Sequence, residues 1–262
     1  MQWPLSAPRG PLDVVGVGLN TVDHLCVTDA FPTPDSTQRL RAYELQPGGT
    51  VPTALVALAR WGAQTAYVGV FGDDEAARVG RASLEEHGVD CTAAVTRAGV
   101  PNPMCVVLVD ARSGTRAILG HQGPALELDP AEVPAHGIGA ARALLVDGTA
   151  VPAAVAAMTA ARVARMPTIA SVDTPFAGME PFLDLVDVLI VPRALALATT
   201  RTESAAAALA ALARRGPRVV AITLGHDGAL ACVGEECVRV PGLAVPAVDP
   251  TYDVLGYASW YG

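Results

Sequence analysis

From about residue 143 onward, short apolar runs alternate with Ala-rich amphipathic segments, and this alternation most constrains the fold. ALLVDG (143–148), TIASVD (168–173), VDVLIV (186–191) and RVVAITLG (218–225) read as buried strands. Between them, AAVAAMTAARVAR (153–165), PFLDLV (181–186) and ESAAAALAALARRG (203–216) carry helical spacing. Strands separated by helices imply right-handed crossovers and a parallel sheet covered on both faces. The last two runs, ALACVG (229–234) and CVRVPG (237–242), close as a hairpin.

The first half follows the same logic with interruptions. LDVVGVG (12–18) is a continuous apolar run and predicts a buried parallel strand. PGGTVPTALVALARWG (47–62) is a Gly-Gly turn feeding a helix, with Thr50 as the expected N-cap and Gly62 as the stop. TAYVGV (65–70) predicts a strand, and DDEAARVGRASLEEHG (73–88) a helix with acids at its start and Gly88 at its end. DHLCV (23–27) and QRLRAYEL (38–45) alternate with period two, and MCVVLVD (104–110) with TRAIL (115–119) predicts an antiparallel hairpin. These pieces do not fit the βα rhythm. A second, small sheet over approximately 23–45 and 104–119, packed over one sheet edge as a lid, accommodates them.

Composition narrows the function. Hydrophobic residues are 51% and charged residues 17% of the chain, which excludes intrinsic disorder. The formal net charge is −8 with no basic stripe, so nucleic acid is not an expected partner. All 18 basic residues are Arg. Without Lys there is no Schiff-base chemistry and no P-loop Gly-Lys-Ser/Thr signature. Asn occurs only at positions 20 and 102. The five Cys include no CxxC and no zinc spacing, and together with the lack of a signal pattern or a membrane-length apolar run they predict a reduced, cytoplasmic protein that does not enter a membrane. Residues 1–11 read as a flexible, Pro-rich leader.

In an open parallel sheet, ligands bind beyond the carboxyl ends of the strands. Gly18, Asp23, Asp147, Gly148, Asp173, Thr223, Gly225 and Gly228 fall at those ends, and Gly48-Gly49 precede a helix N-terminus whose N–H groups can meet hydroxyls or anions. The set suits a small polar ligand beside a phosphate-bearing one.

VVGVGLNTVD, PGGTVPTALVALARWG, YVGVFGDDEAARVGRASLEEHGVD, the DVLIV strand and VVAITLGHDGAL followed by VPAVD together resemble the PfkB (ribokinase-like) carbohydrate kinases, over nearly the whole chain from about residue 13. The resemblance implies a doubly wound α/β sheet with helices on both faces and a small β-lid, in one kinase domain over 12–262. It implies ATP and Mg2+ as cofactors and transfer of the γ-phosphoryl group to a sugar hydroxyl. Carried over by position, Asp23, Gly48, Gly49 and Thr53 would bind the sugar, Thr53 standing where many members have Asn. Thr223, Gly225 and Gly228 would line the nucleotide site, and Asp253 would be the general base. Lids of this kind often pair through an exposed edge, which suggests a homodimer.

Three departures stand out. The family's Gly-rich anion-hole run is here Asp249-Pro250-Thr251-Tyr252-Asp253, without glycine. The metal-organising Asn-x-x-Glu, expected after VDVLIV, is replaced by Pro192-Arg193-Ala194-Leu195-Ala196. The family's later helices are not present before Gly262, so the domain reads as C-terminally truncated. Such a chain is expected to be a weak or inactive kinase. The alternatives are a non-catalytic sugar- or nucleoside-binding pseudokinase, or a truncated gene product without function.

Overall fold

The structure, a computed structural model, describes residues 10–133 and 135–242. The chain begins with β1 (Leu12–Val17), then leaves the main layer for β2 (Thr21–Thr28) and β3 (Ala42–Gly48), and returns through α1 (Thr50–Arg60). There follow β4 (Thr65–Val68), β5 (Val70–Phe71), α2 (Glu75–Glu86), β6 (Val89–Asp90) and β7 (Val95–Thr96), and then the hairpin β8 (Met104–Asp110) and β9 (Arg116–His121). The second half runs α3 (Ala135–Gly139), β10 (Ala141–Val146), α4 (Val151–Val163), β11 (Thr168–Ser171), α5 (Met179–Leu183), β12 (Val188–Pro192), α6 (Arg193–Thr200), α7 (Ala205–Ala213) and β13 (Val219–Thr223). It closes with β14 (Ala229–Val233) and β15 (Glu236–Val240).

The main sheet has nine strands in the order β15-β14-β13-β12-β11-β10-β1-β4-β6. Pairing is parallel from β6 to β13, and the terminal hairpin adds two antiparallel strands. This is the doubly wound α/β architecture that the alternation predicts. The Ala-rich helices serve close packing. Ala153, Ala157 and Ala161 recur every four residues on one stripe of α4 and are fully buried, beside Met158. Small side chains on that stripe bring the helix axis near the Val-rich strands, so dispersion contacts form along its length.

The lid is a separate four-stranded sheet in the order β3-β2-β8-β9. Its central pair, β2 with β8, is parallel, and both outer pairs are antiparallel. Leu25, Val27, Val107 and Val109 form its own small apolar cluster.

Local signals at helix ends hold with one correction. Asp74 caps α2, its carboxylate accepting from Ala77 N–H at 2.9 Å. Gly62 and Gly88 take left-handed backbone just past α1 and α2. Thr50, expected as the N-cap of α1, is instead its first helical residue, and Gly49 is the cap. The lid strand expected over 38–45 begins at Ala42, and the short helix expected over 181–186 occupies Met179–Leu183. The helix α6 was not foreseen from the sequence. In the fold, Pro192 is its N-cap and Arg201, at φ 54°, ends it. Two cysteines are not free: Cys232 and Cys237 face each other across β14 and β15 and form a disulfide, with Cα atoms 4.1 Å apart. Nothing in their spacing announces this, because it depends on the hairpin register. Among the described residues no helix is long and apolar enough to cross a membrane.

Candidate active site

The lid is fastened to the sheet by a buried polar hub. Asn20 sits just before β2, and Asn102 two residues before β8, so both mark places where the chain passes into the lid. Asn102 Nδ2 donates to Asn20 Oδ1 at 2.9 Å and to Pro103 O at 3.2 Å. Asn20 Nδ2 donates to Val70 O at 2.6 Å and to the Tyr67 hydroxyl at 3.1 Å. Tyr67 in turn donates to Gly18 O at 2.8 Å, and Asn102 Oδ1 accepts from Gly72 N–H at 3.1 Å. Burial pushes the Tyr67 phenol well above its ordinary pKa, so it remains a donor. A fully satisfied buried network fixes one geometry, since any member moved would orphan several others.

The lid strand β2 then carries Asp23 between β3 and β8. Asp23 Oδ1 accepts from the Thr21 hydroxyl at 2.8 Å, and the residue lies in register opposite Cys105 on β8 and Gln46 on β3. Burial raises the Asp23 pKa above its ordinary value, opposed by hydrogen bonds from Thr21 and Cys105. Gly48 lies directly behind it. A Cβ there would overlap the Asp23 carboxylate and come within 2.7 Å of Thr21 Oγ1. Gly49, at φ 103°, turns the chain into α1, and a Cβ there would overlap Leu19 O. Thr53 is half-buried one turn into α1, its N–H donating to Gly49 O at 3.0 Å. The structure therefore places Asp23, Gly48, Gly49 and Thr53 around the start of α1.

Below them lies the carboxyl edge of the sheet. Asp147 follows β10 and is 4% exposed. Its Oδ2 accepts from Leu19 N–H at 2.9 Å, and its Oδ1 accepts from Thr149 N–H at 3.0 Å and from the Thr149 hydroxyl. Gly18 permits this, because a Cβ there would stand 2.8 Å from Asp147 Cγ. Burial, aided by the charge of Asp173, raises the Asp147 pKa. Asp173, exposed just beyond β11, also acts on the Cys105 thiol, whose pKa is pushed up to about 11, mainly by burial and then by Asp23. Asp173 thus lies within electrostatic reach both of Cys105 in the lid and of Asp147 at the sheet edge. An open depression of about 460 Å³ beside β6, next to Arg81 and Cys91, holds none of these residues.

The residues expected on the nucleotide side lie further along the same edge. β13 is four strands from β1, about 19 Å at the usual strand spacing. Thr223 ends β13, and Gly225–Asp227 form a single tight turn. Gly225, at φ 62°, has open space where a Cβ would point, whereas Gly228, at φ 91°, is packed against Val240–Gly242. Arg193 at the start of α6 pairs with Asp227 at 2.8 Å. The same region does not supply a metal site, since no group of three His, Cys, Asp or Glu stands ready for a cation among the described residues. Asp253, the expected general base, lies outside the described residues.

Sequence reasoning found the cleft residues that stand next to a strand or helix end. It did not find Cys105 or Tyr67, or the joining of Asn20 to Asn102. The one signal was the rarity of Asn in the chain.

Comparison with known proteins bears on the family and the fold. The chain is 25% identical over 247 residues to the bifunctional ribokinase/ribose-5-phosphate isomerase A of Fructilactobacillus sanfranciscensis, covering 91% of this chain and 46% of that protein. It spans less than half the length of the curated relatives it matches. Among solved structures, a putative ribokinase from Agrobacterium tumefaciens superposes with a TM-score of 0.82 at 22% identity, over 96% of this chain and 85% of that one. The Arabidopsis thaliana ribokinase, solved with ribose and ATP, superposes with a TM-score of 0.74 at 19% identity, over 96% and 86% of the two chains. The fold is ribokinase-like, and because the pfkB family carbohydrate kinase pattern matches residues 12–251, the chain belongs to that family.

Proposed function

We propose that the chain transfers the γ-phosphoryl group of ATP to a hydroxyl of a sugar or sugar-like acceptor held under the lid. The observation that carries this reading is the seat of Asp23. Its carboxylate is backed by the bare backbone of Gly48 and braced by Thr21, beside the turn that leads into α1. A carboxylate held this way accepts hydrogen bonds from hydroxyls and orients the acceptor. Gly49 and Thr53 bring the amino end of α1 to the same place. Thr223, Gly225 and Gly228 form the nucleotide side, and Asp253 would take the proton of the attacking hydroxyl. ATP supplies the transferred group. A Mg2+ ion would arrive with the nucleotide and be held chiefly by its phosphates, since the described residues build no cage for it. The exposed lid edge strands, with Tyr43, Ile118 and Leu119 uncovered, fit a homodimer formed through the lid.

The test is release of ADP from ATP and Mg2+ across a panel of sugars and nucleosides. Acceptor-dependent release that disappears in Asp253→Ala supports the reading. Absence of release from folded protein overturns it.

A second reading, a sugar- or nucleoside-binding protein without turnover, is favoured by one feature. Where the family carries Asn-x-x-Glu after β12, Arg193 is committed to an ion pair with Asp227. Acceptor-induced thermal stabilisation without ADP release would support it.

A further inference from the structure

The hairpin at the end of the main sheet holds a disulfide whose two halves sit in unlike places. Cys232 on β14 is 3% exposed and belongs to the large apolar core. Cys237, directly opposite on β15, is exposed, as is every other residue from Glu236 to Val240. Among the described strands of the main sheet, β15 alone has no buried or half-buried residue. Apolar burial therefore does not hold this strand. Its ladder with β14 and the bridge to Cys232 do. A disulfide with an exposed half is open to thiol exchange, unlike one sealed in a core.

The other end of the hairpin is wedged against the turn that follows β13. That turn, Gly225–Asp227, is closed by Leu224 N–H donating to Gly228 O at 2.8 Å and by Gly228 N–H donating to Gly225 O at 2.9 Å. Ala229 and Val240 pair at the open end of the hairpin, three residues on from Cys237, or about 10 Å. Just beyond them the two backbones touch. A Cβ on Gly228 would overlap Val240 O, and a Cβ on Gly242 would overlap His226 O. Fraying or slippage of β15 would remove the surface on which the turn rests. The bridge opposes both, because it fixes one register.

We propose that Cys232 and Cys237 form a thiol-exchange site that clasps the Gly225–Asp227 turn, and that a small thiol of the glutathione class opens it. In the opening step a thiolate attacks Cys237 Sγ, the S–S bond breaks, and Cys232 leaves as a thiolate that takes up a proton. A second thiolate attacks the outer sulfur of the mixed disulfide and releases Cys237. One protein disulfide and two small thiols thereby give two protein thiols and one small disulfide. The reverse reaction restores the same bridge, because the other cysteines lie elsewhere. Cys91 follows β6 at the opposite edge of the sheet, and Cys26 and Cys105 belong to the separate lid. The clasp acts on the backbone of the turn, and only its consequence for ATP rests on the phosphotransfer reading.

The first test incubates the full chain in millimolar reduced glutathione without denaturant, traps free thiols with N-ethylmaleimide, and locates them by peptide mass spectrometry. Cys232 and Cys237 are expected to open, and oxidised glutathione to close them again. A bridge that opens only in denaturant overturns the proposal. Amide exchange in the peptide carrying Leu224 and Gly228 is expected to rise several-fold on reduction, with β1 unchanged. The Cys237→Ser chain should exchange at the reduced rate in either buffer. Faster exchange confined to 229–240, with the turn as slow as before, would mean that the bridge only staples the hairpin, and this too overturns the proposal. Comparing the two forms of the unsubstituted chain decides the matter even where Cys237→Ser fails to fold.

A further arm measures ATP affinity by titration calorimetry. Reduction is expected to weaken it several-fold. If ATP binds equally to both forms, or to neither, while exchange in the turn differs between them, the nucleotide reading of the turn fails and the clasp stands.

Discussion

Asn20 and Asn102, separated by 82 residues in the chain, hydrogen-bond to one another at 2.9 Å where the chain passes from the main sheet into the lid. Both are almost fully buried, at 2% and 3% exposed. The pair ties the root of β2 to the root of β8, so the parallel β2–β8 pairing and the height of Asp23 above the sheet are set together.

Asn102→Ala would orphan Asn20 Oδ1 and the Gly72 N–H, and an unsatisfied buried group costs about 1–3 kcal/mol. The expected result is a lowered midpoint in urea with an unchanged m value. Asn20→Ala should behave alike, and the double variant should lose less than the sum of the two, because the residues share one bond. Strict additivity would show that the network is not the unit described.

Gly48 and Gly49 should fail in different ways. In Gly48→Ala the new Cβ meets the Asp23 side chain, which can swing aside, so stability changes little while acceptor KM rises. A displacement of about 1 Å at a positioning group can cost on the order of a hundredfold in rate. In Gly49→Ala the Cβ meets the Leu19 backbone at a φ of 103°, so the loss is in folding, about 1–3 kcal/mol. Steady-state kinetics beside thermal melts separate the two.

Asp23 gives a pH signature. Burial raises its folded-state pKa above 3.8, so the folded protein holds this proton more tightly than the unfolded chain. Its contribution to stability is therefore full below the unfolded pKa and is lost as pH rises through the folded value. Asp23→Asn should flatten that decline in denaturant titrations. Acceptor binding should run the other way, weakening on acidification at a pH above the ordinary carboxylate range, and that limb should vanish in Asp23→Asn.

The Cys232–Cys237 bridge closes a short loop, and a loop of this size is worth about 2 kcal/mol in the chain-entropy account. Reduction, or Cys237→Ser, should lower the melting temperature and raise amide exchange in β14 and β15 first. Because the hairpin is the last pair of strands on its side of the sheet, exchange in β1 and β10 should stay near its original level.

The sequence by itself determined whatever is decided within one element. Period and length separate the strands from the helices between β10 and β13, and caps such as Asp74 and stops such as Gly62 act over a single turn. The Gly-Gly turn and the FGDDE…GVD block sufficed to name the family. Only the tertiary structure decided what joins residues far apart in the chain. It brought Asn102 to Asn20, Cys105 to Asp23, and Asp173 within electrostatic reach of both Cys105 and Asp147. It also paired Cys232 with Cys237 through the register of a hairpin. A residue type states which bonds it can make, but which partner it meets depends on strand order and register, and these emerge only when the lid and the sheet are packed together.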